Sequence, residues 1–138
     1  MTTLDFPPSS KLLFFYGTLK LPHILQQVLS LKELPALYDA TIRGYTVKMW
    51  GPYPALVNAA DTEATERTVK GKAWILHEER HLKRLEQYET ENYRLAKVDI
   101  DVRLKDAPMK IISGYTFIWN SYPEELEDGS FDELNFSC

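Results

Sequence analysis

Glu89 is the acid in this chain whose placement asks for a chemical reason. Leu82 and Leu85 stand three apart among charged residues over 78–89, the spacing of an amphipathic helix. At ~100° per residue, Glu89 falls between those two leucines on the helical wheel. A carboxylate on an apolar stripe is costly unless it is paired or has chemistry to perform. Two readings follow. Glu89 has chemical work to do, or the last turn frays and the carboxylate turns outward or pairs with Arg94 or Arg43. Glu86 lies at the edge of the apolar face, and Glu91 lies beyond the helix end.

Other residues offer weaker chemistry. Phe15-Tyr16-Gly17-Thr18-Leu19 carries a buried strand into a glycine-containing turn and then a helix. Such junctions expose backbone N–H groups that hold carboxylates or oxyanions, and Gly17 lets the backbone approach a ligand. Most such turns only connect elements. Tyr93-Arg94 follows the acidic helix, where Tyr93 packs at a strand start and Arg94 is solvated unless a ligand recruits them. Gly51-Pro52-Tyr53-Pro54 reads as a turn first and a pocket rim second. Trp50, Trp74 and Trp119 lie on or beside strands with few basic neighbours, which fits core packing better than base stacking. His77-Glu78-Glu79-Arg80-His81 matches the H-E-x-x-H pattern of zinc peptidases. That chemistry needs both histidines on one helical face and a third ligand farther on, yet His77 directly follows a strand and His23 lies upstream, which leaves a downstream glutamate as the third ligand.

Elements must position these residues. Leu12–Tyr16 is a continuous apolar run, a strand buried on both faces. Pro22 opens a helix over 22–30, with Ile24, Leu25, Val28 and Leu29 at helical spacing. Residues 36–49 form two strands, or one bent about Gly44. Ala55–Val57 is a short strand, and 61–66 a loop. Val69, Gly71, Ala73 and Ile75 alternate with Lys70, Lys72 and Trp74, a half-buried strand. Residues 95–104 alternate most clearly, Asp106-Ala107-Pro108 suits a hairpin turn, and Met109–Trp119 returns. The acidic stretch 120–138 reads as loop plus a short helix. About six strands and two or three short helices make an α+β domain, a small, mostly antiparallel β-barrel flanked by short helices.

The chain of 138 residues suits one domain, here residues 11–138 behind a flexible tail over 1–10. Its composition, 44% hydrophobic and 26% charged, is that of a folded soluble protein, and a net charge of −4 disfavours nucleic acid and anionic membrane surfaces. The N-terminal stretch lacks the pattern of a signal peptide, and no apolar run reaches membrane-spanning length. Cys138 is the only cysteine, so the sequence reads as intracellular and cytoplasmic.

Taken together, the motifs resemble a known family. Tyr16-Gly17-Thr18-Leu19 after an apolar strand is similar to the Y-G-T-L or Y-G-S-L signature of γ-glutamylcyclotransferase-like proteins. Tyr53-Pro54-Ala55-Leu56-Val57, Gly71-Lys72-Ala73-Trp74, Leu85-Glu86-Gln87-Tyr88-Glu89 with Tyr93-Arg94, and Tyr115-Thr116-Phe117-Ile118-Trp119 resemble its γ-glutamylamine cyclotransferase and avirulence-induced-gene-like branch. Gly129-Ser130-Phe131-Asp132 resembles that branch's terminal segment. Glu86 stands where aspartate is usual, and Phe131 where tryptophan is common.

The resemblance implies a small barrel with a cavity at one end. It implies Glu89 as the catalytic acid/base and Tyr16, Gly17, Thr18 and Leu19 as the hold on the glutamyl part. Tyr53, Pro54, Tyr93, Arg94 and Tyr115 complete the substrate-binding set that the motifs suggest. It implies no metal and no cofactor, a small γ-glutamyl compound as the partner, and a monomer or weak dimer. In the implied reaction the substrate's α-amino group attacks its own γ-carbonyl, giving 5-oxoproline and a free amine or amino acid. Two other classes compete: a binding or interaction protein that keeps the fold, and a zinc peptidase resting on the H-E-x-x-H match. The acceptor side of the pocket depends on loops such as 61–66.

Overall fold

The computed structural model describes residues 11–59, 67–104 and 107–128. Leu12–Phe15 are all buried because the first strand, β1 (Lys11–Phe15), has protein on both sides. It runs antiparallel beside β5 (Thr68–Leu76) and parallel beside β7 (Lys110–Trp119). β5 pairs with β2 (Tyr38–Arg43), β2 with β6 (Tyr93–Val102), and β6 with β7, so the sheet closes in the order β1-β5-β2-β6-β7. Leu12 and Phe14 point inward, against Ile42, Val69, Ile100 and Val102. Leu13 and Phe15 point outward, under the helices α1 (Pro22–Leu29) and α2 (Glu79–Glu89), which bring Ile24, Leu25, Leu82 and Leu85 onto them.

The barrel has five strands, one fewer than the composition of elements suggests. β3 (Tyr45–Trp50) and β4 (Tyr53–Asn58) form a separate two-stranded sheet. Gly44, at φ 85°, turns the chain out of the barrel after β2. No residue of β3 is fully buried, as suits a strand outside the wall. A neck of backbone bonds closes this excursion, Gly44 N–H to the Arg67 carbonyl and Ala59 N–H to the Gly44 carbonyl, both at 3.0 Å. The tight turn is Gly51-Pro52 alone. Tyr53 and Pro54, expected in that turn, begin β4 instead. Pro54 is tolerated there because its partner Met49 sends both its N–H and its carbonyl to Glu127, so the pair needs no proline N–H.

Trp74 also departs from expectation. Alternation sets it beside the exposed Lys70, yet it is buried. The second half of β5 lies beneath α2, where the indole sits 6.4 Å from the Phe15 ring and 6.1 Å from His81. The tail 1–10, the 61–66 loop, Asp106 of the hairpin turn and the last residues from 129 lie outside the described residues. Within 120–128, the only helical piece is a 3₁₀ turn, Pro123–Glu125.

A barrel this narrow leaves no room for a methyl at two places. A Cβ on Gly71 would overlap the Phe15 carbonyl oxygen. One on Gly114 would overlap the Leu12 carbonyl oxygen and stand 2.7 Å from Ile100 Cδ1. Both neighbours are backbone of β1, which cannot swing aside as a side chain can. We therefore expect Gly114→Ala to destabilise the fold at or above the upper end of the usual overpacking cost of about 1–3 kcal/mol, measured by urea denaturation against the wild type.

Candidate active site

Five elements end around one mouth of the barrel: the C-terminal ends of β1, β7 and α2, and the starts of β4 and β6. Between them lies a cavity of about 540 Å³. Of the residues the sequence singles out, Tyr16, Gly17, Thr18, Leu19, Tyr53, Pro54, Glu89 and Tyr93 line it. Residues from 16 to 93 thus meet because β1 delivers its motif to the same end at which α2 stops.

The segment after β1 is a single 3₁₀ turn, Thr18–Lys20, closed by Lys20 N–H to the Gly17 carbonyl at 3.1 Å. It passes so close to the hairpin that a Cβ on Gly17 would stand 3.0 Å from Pro54 Cγ. A side chain here would need the Pro54 ring to give way by a few tenths of an ångström. The Thr18 and Tyr88 hydroxyls share a hydrogen bond of 2.9 Å, which ties this turn to the last turn of α2.

Two tyrosines anchor β4. Tyr16 donates its phenol proton to the Phe117 carbonyl at 2.7 Å and accepts the Leu56 N–H at 3.3 Å. Tyr93 donates to the Pro54 carbonyl at 2.9 Å. Both phenol protons are thereby committed to backbone carbonyls. Burial, and then the nearby Glu89 carboxyl, raise both phenols well above their ordinary range.

Glu89 is the last residue of α2 and half-buried at the cavity wall. No hydrogen bond or ion pair joins it to another described residue. Loss of solvent alone lifts its pKa from 4.5 to about 7. The pairing alternatives fail on position. Arg43 holds Asp101 at 2.9 Å, and Arg94 is exposed. Glu86, four-fifths of a turn earlier, is exposed as well.

Two motif residues do not reach the cavity. Arg94 follows Tyr93 on β6, and strand alternation turns it to the opposite face. Tyr115 packs on the outside of the barrel, with the Lys11 ammonium 5.8 Å above its ring, short of the end that Phe117 reaches. Conversely, Trp50, which the sequence suggests for core packing, and Tyr88, Thr90, Asn92 and Phe117, which the sequence analysis gives no site role, line the cavity. The Trp50–Tyr53 pair flanking Gly51-Pro52 was a usable signal, since residues bounding a two-residue turn face each other; their rings lie 6.3 Å apart. Only tertiary placement brings in the others. His77 precedes α2 in non-helical backbone, so it does not share a helical face with His81. Among the described residues no three His, Cys, Asp or Glu side chains group as a metal site.

The fold has counterparts among solved structures. A solution structure from Arabidopsis thaliana is 20% identical, with a TM-score of 0.65 over 85% of this chain and 66% of its own length. An AIG2-like protein from Mus musculus is 19% identical, with a TM-score of 0.66 over 92% of this chain and 90% of the mouse chain. A yeast γ-glutamyl cyclotransferase specific to glutathione is 12% identical, with a TM-score of 0.60 over 80% of this chain and 69% of the yeast chain. At these identities the likeness is one of fold. No curated protein sequence matches the chain. No helix among the described residues is long and apolar enough to cross a membrane. The family model described as gamma-glutamyl cyclotransferase, AIG2-like, matches residues 13–134, nearly the whole chain, and the protein belongs to that family.

Proposed function

We propose that this protein is a γ-glutamyl cyclotransferase in which Glu89 carries the proton. The observation that supports it most is an unpaired carboxyl, poised near pH 7 by burial, in the same cavity as the Tyr16–Leu19 turn. The nucleophile belongs to the substrate, so the site's first task is to fold the glutamyl chain until its amine meets its own γ-carbon. The walls around Glu89 suit an ammonium. The Tyr16 and Tyr93 phenols direct their O–H groups at backbone carbonyls, so towards a ligand their oxygens can only accept, as the Glu89 carboxylate does.

The chemistry balances with one carboxylate. Glu89 takes a proton from the α-ammonium, and the freed amine forms a bond to the γ-carbon. The negative charge moves to the carbonyl oxygen, which backbone N–H groups near Gly17–Leu19 stabilise. Glu89 then returns its proton to the amide nitrogen, the old C–N bond breaks as the carbonyl re-forms, and Glu89 carries the surplus proton of the ring nitrogen to the released amine, so 5-oxoproline departs with an ammonium. A base that starts near neutrality is matched to these transfers.

The direct test is incubation with a panel of γ-glutamyl amines and γ-glutamyl dipeptides, watching for 5-oxoproline. A wild type inert towards the whole panel would overturn the proposal. With an active substrate, Glu89→Gln should lower kcat by about 10²–10⁴-fold, the usual worth of a general acid–base. Glu86→Gln, on the exposed side of the same helix, should change it little.

The pH dependence follows from the same carboxyl. It must be ionised to act first as a base, so kcat/KM should rise with pH through about 7 and then level, as long as the substrate amine stays protonated. Stability should move the other way. The folded pKa of Glu89 lies above its ordinary 4.5, so the native state holds the proton more tightly than the unfolded chain. That contribution is complete below about 4.5 and is lost as pH rises through about 7. Glu89→Gln should flatten this part of the stability profile and leave the variant the more stable protein above pH 7, read by thermal melts across that range.

A further inference from the structure

Glu89 has no side-chain partner among the described residues, so the backbone that carries it bears on where its carboxyl stands. α2 ends at Glu89, β6 begins at Tyr93, and both residues face the cavity. The reversal between them turns on Thr90, which has φ 67° and ψ −179°. That region of the backbone map belongs to glycine, and a β-branched residue enters it only where its surroundings force it.

The surroundings here do force it. Thr90 N–H still completes the helix, donating to the Glu86 carbonyl at 3.0 Å. The Asn92 N–H and its side-chain amide converge on Thr90 Oγ1, each at 3.4 Å. From outside the turn, Asn120 at the end of β7 donates its backbone N–H to the Asn92 carbonyl at 2.7 Å and its side-chain amide to the Glu91 carbonyl at 3.2 Å. Thr90 and Asn92 line the cavity, whereas Asn120 does not. A glycine at position 90 would allow the same path without strain, and would allow many others too.

We propose that Thr90 is a positioning residue for Glu89, its strained turn held by Asn92 and Asn120 so that the unpartnered carboxyl keeps one place in the cavity. This rests on the reading of Glu89 as the proton carrier. Thr90→Gly removes the strain, so its melting temperature should match or exceed that of the wild type. Its kcat should fall about tenfold or more, the cost of a small misplacement of a reacting group, with KM within twofold. Thr90→Ser keeps Oγ1 and should recover most of that loss. Asn120→Ala, outside the cavity, should show the same split, a lower kcat at unchanged KM, to a smaller degree.

A second measurement needs no substrate. Carboxyl ¹³C NMR of Glu89 should titrate near 7 in the wild type and in Thr90→Ser. In Thr90→Gly the midpoint should drop by about one unit toward 4.5, as the carboxyl strays into solvent. The neighbouring groups that face it, Tyr16 and Tyr93, stay protonated throughout. Thr90→Gly with wild-type kcat and an unmoved midpoint would overturn the proposal. So would a raised KM at constant kcat, which would make Thr90 a substrate contact, or a Thr90→Ser as impaired as the glycine variant. If no γ-glutamyl compound is turned over, the proposed activity fails, and the titration alone decides whether Thr90 positions Glu89.

Discussion

The parallel seam between β1 and β7 is the constraint on which the rest depends. Without it the sheet is open, and the end of β1 has no fixed relation to the end of β7. With it, Leu13 pairs with Tyr115 and Phe14 with Thr116, and the fully buried Thr116 hydroxyl donates to the Phe14 carbonyl at 2.9 Å. The seam takes in only two residues of β1, whereas β5 pairs with all five. Gly71 and Gly114 let the neighbouring strands come close enough to make it, one on each side of β1. Tyr16 leaves the barrel where the seam stops, and its phenol reaches across to the Phe117 carbonyl. The barrel closure and the first wall of the cavity are thus one feature.

β4 shows how the site and the scaffold share groups. Its edge away from β3 has backbone polar atoms and no further strand to receive them. Two tyrosine hydroxyls take that place, from Tyr16 at Leu56 and from Tyr93 at Pro54. Leaving such groups unpaired would cost about 1–3 kcal/mol each where they are buried. The same bonds decide the electrostatics beside Glu89, because a phenol that has donated its proton to a carbonyl presents only lone pairs. A structural requirement of the hairpin therefore sets the chemical character of the cavity.

Much of this was legible in the sequence, and the parts that were not share a cause. Leu12–Phe15, the alternation of β6 and the helix ending at Glu89 follow from periodicity, since burial on one or both faces acts on each residue locally. The wheel position of Glu89 was informative because a helix carries its register in its own spacing. Strand count was harder. β3 and β4 have strand-like composition, and only the turn at Gly44 and the register of β2 with β5 and β6 show that they leave the barrel. Arg94 illustrates a different limit: adjacency in a motif is not adjacency in space, because neighbouring strand residues face opposite ways. The hydrogen bonds that join Thr90, Asn92 and Asn120 depend on a backbone angle and on β7 lying beside the turn, neither of which residue type announces.

The neck formed by Gly44, Ala59 and Arg67 has a consequence for how such a protein can change. Trp50, Tyr53 and Pro54 reach the cavity on a hairpin whose two ends are already joined by backbone bonds. The Gly51-Pro52 turn beyond that neck takes part in no barrel pairing, so lengthening it changes no barrel register, and loop-closure entropy grows only slowly with length. Glu89 and the Tyr16–Leu19 turn are built into the barrel wall and its flanking helix, whereas Trp50, Tyr53 and Pro54 come from outside the wall. Such a division lets one wall of the cavity stay constant while the other is exchanged, much as a tool keeps its handle and takes a new bit.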